Sequence, residues 1–216
     1  MHLNRNLFGA LAVCAALSAP LASLAAVTVV TTEAAFDVLV GIKAPPDAFT
    51  VGSIPSPDSR TVVPFAYTAT AANGLFAPSV GRLSTDTASD SLTLSAFSSN
   101  VRGFGAYFSV ADLLNVNFSF AGELTFTYTV GLDVTTHTEV FPANSVGSRF
   151  VGFVFSSPIL GQINITSSQL EIGEAAFMAV DNLTLASAVP ELGTFPLIAF
   201  GAAALFAASL RRKRGA

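Results

Sequence analysis

The sequence predicts an all-β fold, an antiparallel β-sandwich or jelly roll with one short N-terminal helix, followed by a single C-terminal transmembrane helix. Apolar and polar residues alternate along short segments, and Gly, Pro, Ser, Asn and Asp separate those segments. Of the 216 residues 51% are hydrophobic and 11% are charged, so the chain is too apolar to be disordered. A last apolar segment ends in four basic residues, which indicates a membrane helix.

Residues 1–25 have the features of a secretory signal peptide. Arg5 supplies the positive charge, residues 7–17 form an apolar stretch, and residues 23–25 (SLA) offer the small side chains that signal peptidase recognises. An uncleaved membrane anchor is the alternative, and it is disfavoured because the apolar stretch is shorter than the ~20 residues that cross a bilayer. We expect cleavage after Ala25 and export of the mature chain.

Cleavage of the signal peptide removes Cys14 and His2, which leaves His137 as the sole imidazole of the mature sequence and no thiol. Zinc sites of Cys and His, Cys nucleophiles and disulfides are therefore excluded. His137 stands in a Thr-rich segment, residues 135–139 (TTHTE). It can serve as a general base, but on such a strand a solvated position on the sheet surface is the favoured interpretation.

A short helix is predicted from Thr32 to Gly41. Thr32 can cap it, Glu33 lies in the first turn, Phe36 is one of its apolar residues, and Gly41 is a stop signal. Its Val-rich end also suits a strand, so a strand is the alternative.

The clearest strand pattern is a hairpin between residues 116–120 and 124–130. In the second segment Leu, Phe and Tyr alternate with Thr, which indicates one buried face and one Thr-lined solvent face. Residues 149–155 are apolar on both faces, as in a central strand, whereas Gln162, Asn164 and Thr166 mark a half-exposed strand. Strands are also predicted at residues 61–70, 91–97, 101–110, 134–141, 149–155, 159–166 and 176–186.

Two glycines in the 101–110 segment, Gly103 and Gly105, flank Phe104. The pair is similar to part of a nucleotide-binding loop, but the third glycine of that motif is missing and the segment is a strand. Close packing of the sheet beside Phe104 and Phe108 is the favoured role of these glycines.

The chain ends in an apolar segment, residues 195–210, followed by Arg211, Arg212, Lys213 and Arg214. The apolar segment predicts a short transmembrane helix, and the four cations predict a cytoplasmic end, which places the preceding domain on the far side of the membrane. A buried core helix is the alternative, and four adjacent cations disfavour it.

The residues before this helix are Val189-Pro190-Glu191-Leu192-Gly193-Thr194. A Pro-Glu motif, an apolar helix and a basic end, in this order over residues 189–214, resemble the PEP-CTERM sorting signal that exosortases recognise in Gram-negative bacteria. Leu192 stands where that family usually has Pro. A sortase signal and a GPI signal are rivals that fit these residues less well. The resemblance implies anchoring in the inner membrane, processing by an exosortase-like enzyme and release to the cell surface or the extracellular space.

Residues 26–188 form the predicted ectodomain, which has the length of one domain. It contains 5 basic and 13 acidic residues, so its formal charge is 5 − 13 = −8. An acidic domain without a basic stripe is a poor partner for nucleic acid, and we expect none. The segment 186–188 (ASA) is predicted as the linker to the sorting signal.

Asp181 is the candidate site residue of the ectodomain. In a regular strand it shares a face with Phe177, Ala179, Leu183 and Leu185, so its carboxylate falls among core side chains and needs a partner, a bulge or a cation. Arg102 and Arg149 are the predicted partners. The alternative is calcium held by Asp181 and Asn182, with Glu33 or Asp37 adding oxygen ligands.

Carbohydrate binding usually relies on exposed aromatic side chains, and this sequence has no Trp. Tyr67 and Tyr107 are the candidate stacking platforms. No Asp or Glu pair is marked as catalytic, so we predict a non-catalytic protein of the cell surface or extracellular matrix, and the family resemblance implies association with exopolysaccharide. A secreted polysaccharide hydrolase is the alternative.

Overall fold

Two antiparallel sheets and one short helix make up the described part of the chain in the structure, which is a computed structural model. The described residues are 26–88, 90–111, 121–130, 133–141, 148–159, 161–169 and 176–188. The elements are β1 (Val27–Val30), α1 (Glu33–Leu39), β2 (Val40–Lys43), β3 (Gly52–Ile54), β4 (Asp58–Val62), β5 (Phe65–Thr70), β6 (Leu75–Ala77), β7 (Arg82–Thr85), β8 (Leu92–Ser95), β9 (Gly103–Ala111), β10 (Gly122–Val130), β11 (Asp133–Phe141), β12 (Arg149–Phe155), β13 (Ile163–Gln169) and β14 (Phe177–Ala188).

The eight-stranded sheet has the order β1-β12-β9-β14-β7-β6-β3, with β2 also paired to β14. The six-stranded sheet has the order β11-β10-β13-β8-β5-β4. Neighbours in each sheet are antiparallel, and many are far apart in sequence, such as β14 and β9. The chain therefore passes between the two sheets several times, whereas β4 with β5, β6 with β7 and β10 with β11 are neighbours both in sequence and in their sheet.

The inner faces of the two sheets meet in one apolar core. Phe108 of the eight-stranded sheet contacts Phe126 of the six-stranded sheet at 4.9 Å between ring centroids, and Phe153 lies 5.0 Å from Phe126. These three rings are fully buried. Strand alternation explains the arrangement, because every second residue of β9, β10 and β12 points to the same side.

Helix α1 packs on part of the outer face of the eight-stranded sheet, against β12, β2 and β1. Thr32 caps the helix, its Oγ1 accepting a hydrogen bond from the backbone N–H of Ala35 at 3.2 Å. The helix buries Phe36 completely against a floor of three glycines, which we call the glycine floor: Gly103 and Gly105 of β9 and Gly152 of β12. Gly105 and Gly152 are register partners, so the floor is continuous across two strands.

No side chain fits at the three positions of the glycine floor without a shift of the neighbouring atoms. A Cβ atom at Gly152 would lie 2.7 Å from Cδ2 of Phe36, and one at Gly105 would lie 2.8 Å from Cζ of Phe150. The predicted role of Gly103 and Gly105, close packing of the sheet, agrees with this geometry, and the groups that approach them are Phe36, Val40, Phe150 and Ala186.

Several sequence predictions are confirmed and others need correction. The fold is mostly β with two antiparallel sheets and one short helix, as predicted, and β12 occupies residues 149–155 with both faces covered. The predicted strand 61–70 is two strands, because a turn at Val63-Pro64 joins β4 and β5. The predicted start of β13 at residue 159 is four residues too early.

The predicted hairpin partner of β10 is wrong. β10 pairs with β11 on one side and with β13 on the other, so both of its edges are occupied by strands that follow it in sequence. Residues 116–120 themselves lie outside the described residues. The predicted transmembrane helix at 195–210 also lies outside them, and no helix within the described ranges is long and apolar enough to cross a membrane.

The glycine floor yields the first prediction. Gly152→Ala should lower the free energy of unfolding of the full chain by about 1–3 kcal/mol, because the added methyl group overlaps the ring of Phe36 and displaces it from its buried position. Denaturant unfolding measures the change. Gly161→Ala is the matched control, since its Cβ would meet nothing closer than Cβ of Thr129 at 3.6 Å. Equal stability of the two variants would contradict the role of the floor.

Candidate functional site

The predicted sorting residues fall outside the described part of the chain. These are Val189, Pro190 and Glu191 of the motif and the four cations Arg211, Arg212, Lys213 and Arg214. The described chain reaches Ala188, which is the last residue of β14 and pairs with Val40. The predicted linker 186–188 is therefore wrong: these residues belong to a paired strand, and Ala186 is fully buried.

Asp181 lies at an irregular point of β14. It faces Tyr107 of β9, whereas the next register pair is Thr184 with Gly105, so β14 has one extra residue between them. Asn182 absorbs this bulge with a left-handed backbone, φ 54°. The predicted common face of Asp181 with Leu183 and Leu185 is wrong, because the bulge turns both leucines into the core while Asp181 stays on the outer face.

The partner of Asp181 is Arg82. Its Nη2 atom donates to Oδ2 of Asp181 at 3.0 Å, and both side chains are about one-quarter exposed (20% and 25%). The predicted partners bind elsewhere: Arg102 donates to the backbone carbonyl of Ser156, and Arg149 donates to that of Val140. Arg82 precedes Asp181 by 99 residues, and only the pairing of β7 with β14 places them side by side.

The proposed oxygen ligands for calcium are not gathered at Asp181. Glu33 and Asp37 both accept hydrogen bonds from Nζ of Lys43, at 2.9 and 2.7 Å. Hydrogen bonds from Lys43 and Tyr107 lower the pKa of Glu33. Among the described residues no group of three or more His, Cys, Asp or Glu side chains is placed to hold a metal ion. Calcium at Asp181 and Asn182 stays a prediction.

His137 is half-buried, which corrects the prediction of a solvated residue. It lies on the inward side of β11, with its ring 5.7 Å from that of Phe153, and its Nε2 is 2.9 Å from Oε1 of Glu139. Because β11 is the last strand of the six-stranded sheet, its inward side chains lie at the rim of the core. This position explains how an imidazole in a Thr-rich segment contacts core rings.

The two tyrosines predicted as stacking platforms are engaged within the protein. Tyr67 is 1% exposed, so it has no free face for a sugar ring. Tyr107 packs edge-on against Phe150 and donates its hydroxyl to Oε2 of Glu33 at 2.9 Å. This hydrogen bond to a carboxylate raises the pKa of Tyr107.

Tyr67 belongs to a buried ionic cluster that the sequence did not reveal. Its hydroxyl donates to Oδ2 of Asp47 at 2.7 Å, and Arg60 binds both oxygens of the same carboxylate. Asp47 is 3% exposed. The bond to Asp47 raises the pKa of Arg60, and burial beside Asp47 raises that of Tyr67. Removal of one partner from such a buried ion pair strongly destabilises the folded protein, because the other group is left buried without its partner.

The outer face of the six-stranded sheet is lined by hydroxyl and amide side chains. One row crosses five strands, since β-register pairs Thr136 with Thr127, Thr127 with Asn164, Asn164 with Thr93, and Thr93 with Thr70. We call this the threonine row. At a strand spacing of about 4.8 Å it extends roughly 19 Å across the sheet.

A groove of about 290 Å³ lies over one end of the threonine row. It is lined by Thr127, Tyr128, Thr129, Val134, Gln162, Asn164 and Thr166, from β10, β11, β13 and the residue before β13. All of these residues are uncharged. The groove therefore offers hydrogen bonds and an apolar edge rather than proton transfer or ion pairing.

One atom of the groove lacks a hydrogen bond. Oδ1 of Asn164 is buried and has no partner among the described residues. The hydroxyls of Thr127 and Thr129 also make no hydrogen bond within the described part of the chain, whereas the hydroxyl of Thr166 donates to the carbonyl of Thr125 at 3.5 Å. The sequence pattern had marked these side chains as solvent-facing, but only the pairing of β10 with β13 places Thr127 beside Asn164.

The two buried or half-buried acids yield the second prediction. Asp47→Asn should lower the free energy of unfolding by about 3 kcal/mol, because it removes the buried carboxylate that accepts from both Arg60 and Tyr67 and leaves Arg60 with the longer ion pair to Asp58, at 3.4 Å. Asp181→Asn should lower it by about 1 kcal/mol or less, since that pair is partly solvated. Denaturant unfolding of the full chain compares them, and a larger loss for Asp181→Asn would contradict this assignment.

The chain matches no known protein-family model, and no curated protein matches it either. Any function assigned to it therefore rests on its own residues and their arrangement.

Proposed function

We propose that this chain is an exported, non-catalytic protein of the cell surface or extracellular matrix that is sorted by an exosortase-like enzyme and associates with exopolysaccharide. In this proposal signal peptidase removes residues 1–25, and residues 195–210 hold the precursor in the inner membrane. The processing enzyme then acts at Val189-Pro190-Glu191 and releases the domain. The domain is a β-sandwich of the jelly-roll kind.

The observation that carries the sorting proposal is the position of the motif in the sequence, directly after β14. β14 is paired as far as Ala188, and the motif begins at the next residue, Val189. The order of motif, apolar segment and basic end after this point supports the same processing.

The polysaccharide part of the proposal is supported by the outer face of the six-stranded sheet. A polysaccharide presents hydroxyl groups at regular intervals, and Thr, Asn and Gln side chains both donate and accept hydrogen bonds. The groove combines these three residue types on the paired strands β10 and β13 and on Gln162, the residue before β13. Pairing of the strands favours binding because fewer backbone motions are lost when the ligand docks.

The positions of the carboxylates favour a non-catalytic role over the hydrolase alternative. A glycosidase needs two carboxyl groups on opposite sides of the bond that it cleaves. No carboxylate is among the residues that line the groove. Asp47, Asp181 and Glu139 are instead paired with Arg60, Arg82 and His137.

The tail yields the third prediction. Replacing Arg211, Arg212, Lys213 and Arg214 together with Gln should weaken retention of the precursor in the membrane and impair its maturation, because the cytoplasmic stop signal is lost. Immunoblots of membrane and released fractions from an exosortase-containing Gram-negative host measure both effects.

Arginine-to-lysine replacement at residues 211, 212 and 214 is the control, since it keeps all four charges, and it should behave as the wild type. Unchanged precursor levels and unchanged maturation in the Gln variant would contradict the proposed role of the tail.

A further inference from the structure

The buried amide oxygen of Asn164 points to a ligand for the groove. A buried acceptor without a donor is unfavourable, and folded proteins contain few of them. The terminal torsion of Asn is broad, and rotation exchanges the oxygen and the nitrogen of the amide, so either group of Asn164 can face the groove that it lines. A ligand with O–H groups can donate to the oxygen or accept from the nitrogen.

The neighbouring side chains suit the same kind of ligand. Thr127 pairs with Asn164 across the strands, and Gln162 lies two residues before Asn164 on the chain, so hydroxyl and amide side chains line the groove beside Asn164. Val134, with 69% of its surface exposed, forms the apolar edge of the groove. The C–H face of a sugar ring can pack on such an edge while its hydroxyl groups bind the polar side chains.

The charges on this side of the domain select a neutral ligand. The groove contains no cation to bind a uronate or sulfate group. Glu123, further along β10, has the same strand parity as the groove threonines and is the partner of Ser168 on β13. With a formal charge of −8 over residues 26–188, the domain repels polyanions.

We infer that the groove over Thr127, Thr129, Gln162 and Asn164 binds a neutral, hydroxyl-rich polysaccharide, with Asn164 as the central hydrogen-bonding residue. This inference rests on the proposed function. It adds to that function a binding site and the charge class of the polysaccharide.

Affinity electrophoresis of the purified full chain tests the inference. Native gels contain dextran or hydroxyethylcellulose as neutral probes, alginate as the anionic probe, or no polymer. The wild type should be retarded by at least one neutral polymer and not by alginate. Thr127→Val and Asn164→Leu should each weaken the apparent affinity about tenfold, because each removes hydrogen-bonding groups and keeps a side chain of similar size.

Thr93→Val is the matched control, because Thr93 belongs to the threonine row but does not line the groove, and it should bind as the wild type does. Thermal unfolding adds a second readout. Asn164→Leu should keep or raise the Tm, since it removes an unsatisfied polar atom, while it weakens binding. A residue retained for stability alone would lower the Tm when replaced.

The results of these experiments distinguish an error in the assigned site from an error in the proposed association with polysaccharide. If the wild type is retarded but Thr127→Val and Asn164→Leu behave like Thr93→Val, the site is wrong and the association with polysaccharide stands. Retardation by alginate alone overturns the neutral class, and a lower Tm for Asn164→Leu overturns its assignment as a ligand-binding residue. If no polymer retards the wild type, both the assigned site and the polysaccharide part of the proposed function are wrong.

Discussion

The seating of Phe36 on the glycine floor is the contact on which the arrangement of the domain depends. Gly105 and Gly152 face one another on β9 and β12, and a Cβ atom on either would overlap an aromatic ring. The ring of Phe36 also meets that of Phe150 at 5.7 Å, so one helical side chain closes the outer face of the sheet over these strands. Burial of a Phe is worth roughly 1.5–3 kcal/mol, a large share of the stability of a domain.

This contact makes the two sheets unequal. The eight-stranded sheet buries side chains on both faces near α1, which explains why β12 is apolar throughout. The six-stranded sheet buries one face and lines the other with Thr and Asn, as the alternation in β10 shows. The buried amide oxygen of Asn164, which has no hydrogen bond within the described residues, belongs to a side chain on that outer face, and the proposed polysaccharide site follows from this difference between the sheets.

Local patterns in the sequence were enough to predict individual helices and strands. They were not enough to predict which strands pair or which side chains meet. The cap at Thr32 and the alternation in residues 124–130 are short-range patterns, and both predicted their elements correctly. Asp181 shows the limit: its strand was predicted, but the bulge at Asn182 reversed the faces of Leu183 and Leu185. Its partner Arg82 and the pairing of Thr127 with Asn164 depend on strand order, which no local pattern encodes.

The proposed ligand lies on the outer face of the six-stranded sheet, whereas α1 packs on the outer face of the eight-stranded sheet. The most direct measurement is NMR chemical-shift mapping on the purified full chain during titration with a neutral polysaccharide. We expect shifts of the Asn164 and Gln162 side-chain amides and of the Thr127 methyl, with the Phe36 ring and the Gly152 amide unchanged. Shifts centred on Phe36 and Gly152 would contradict this expectation.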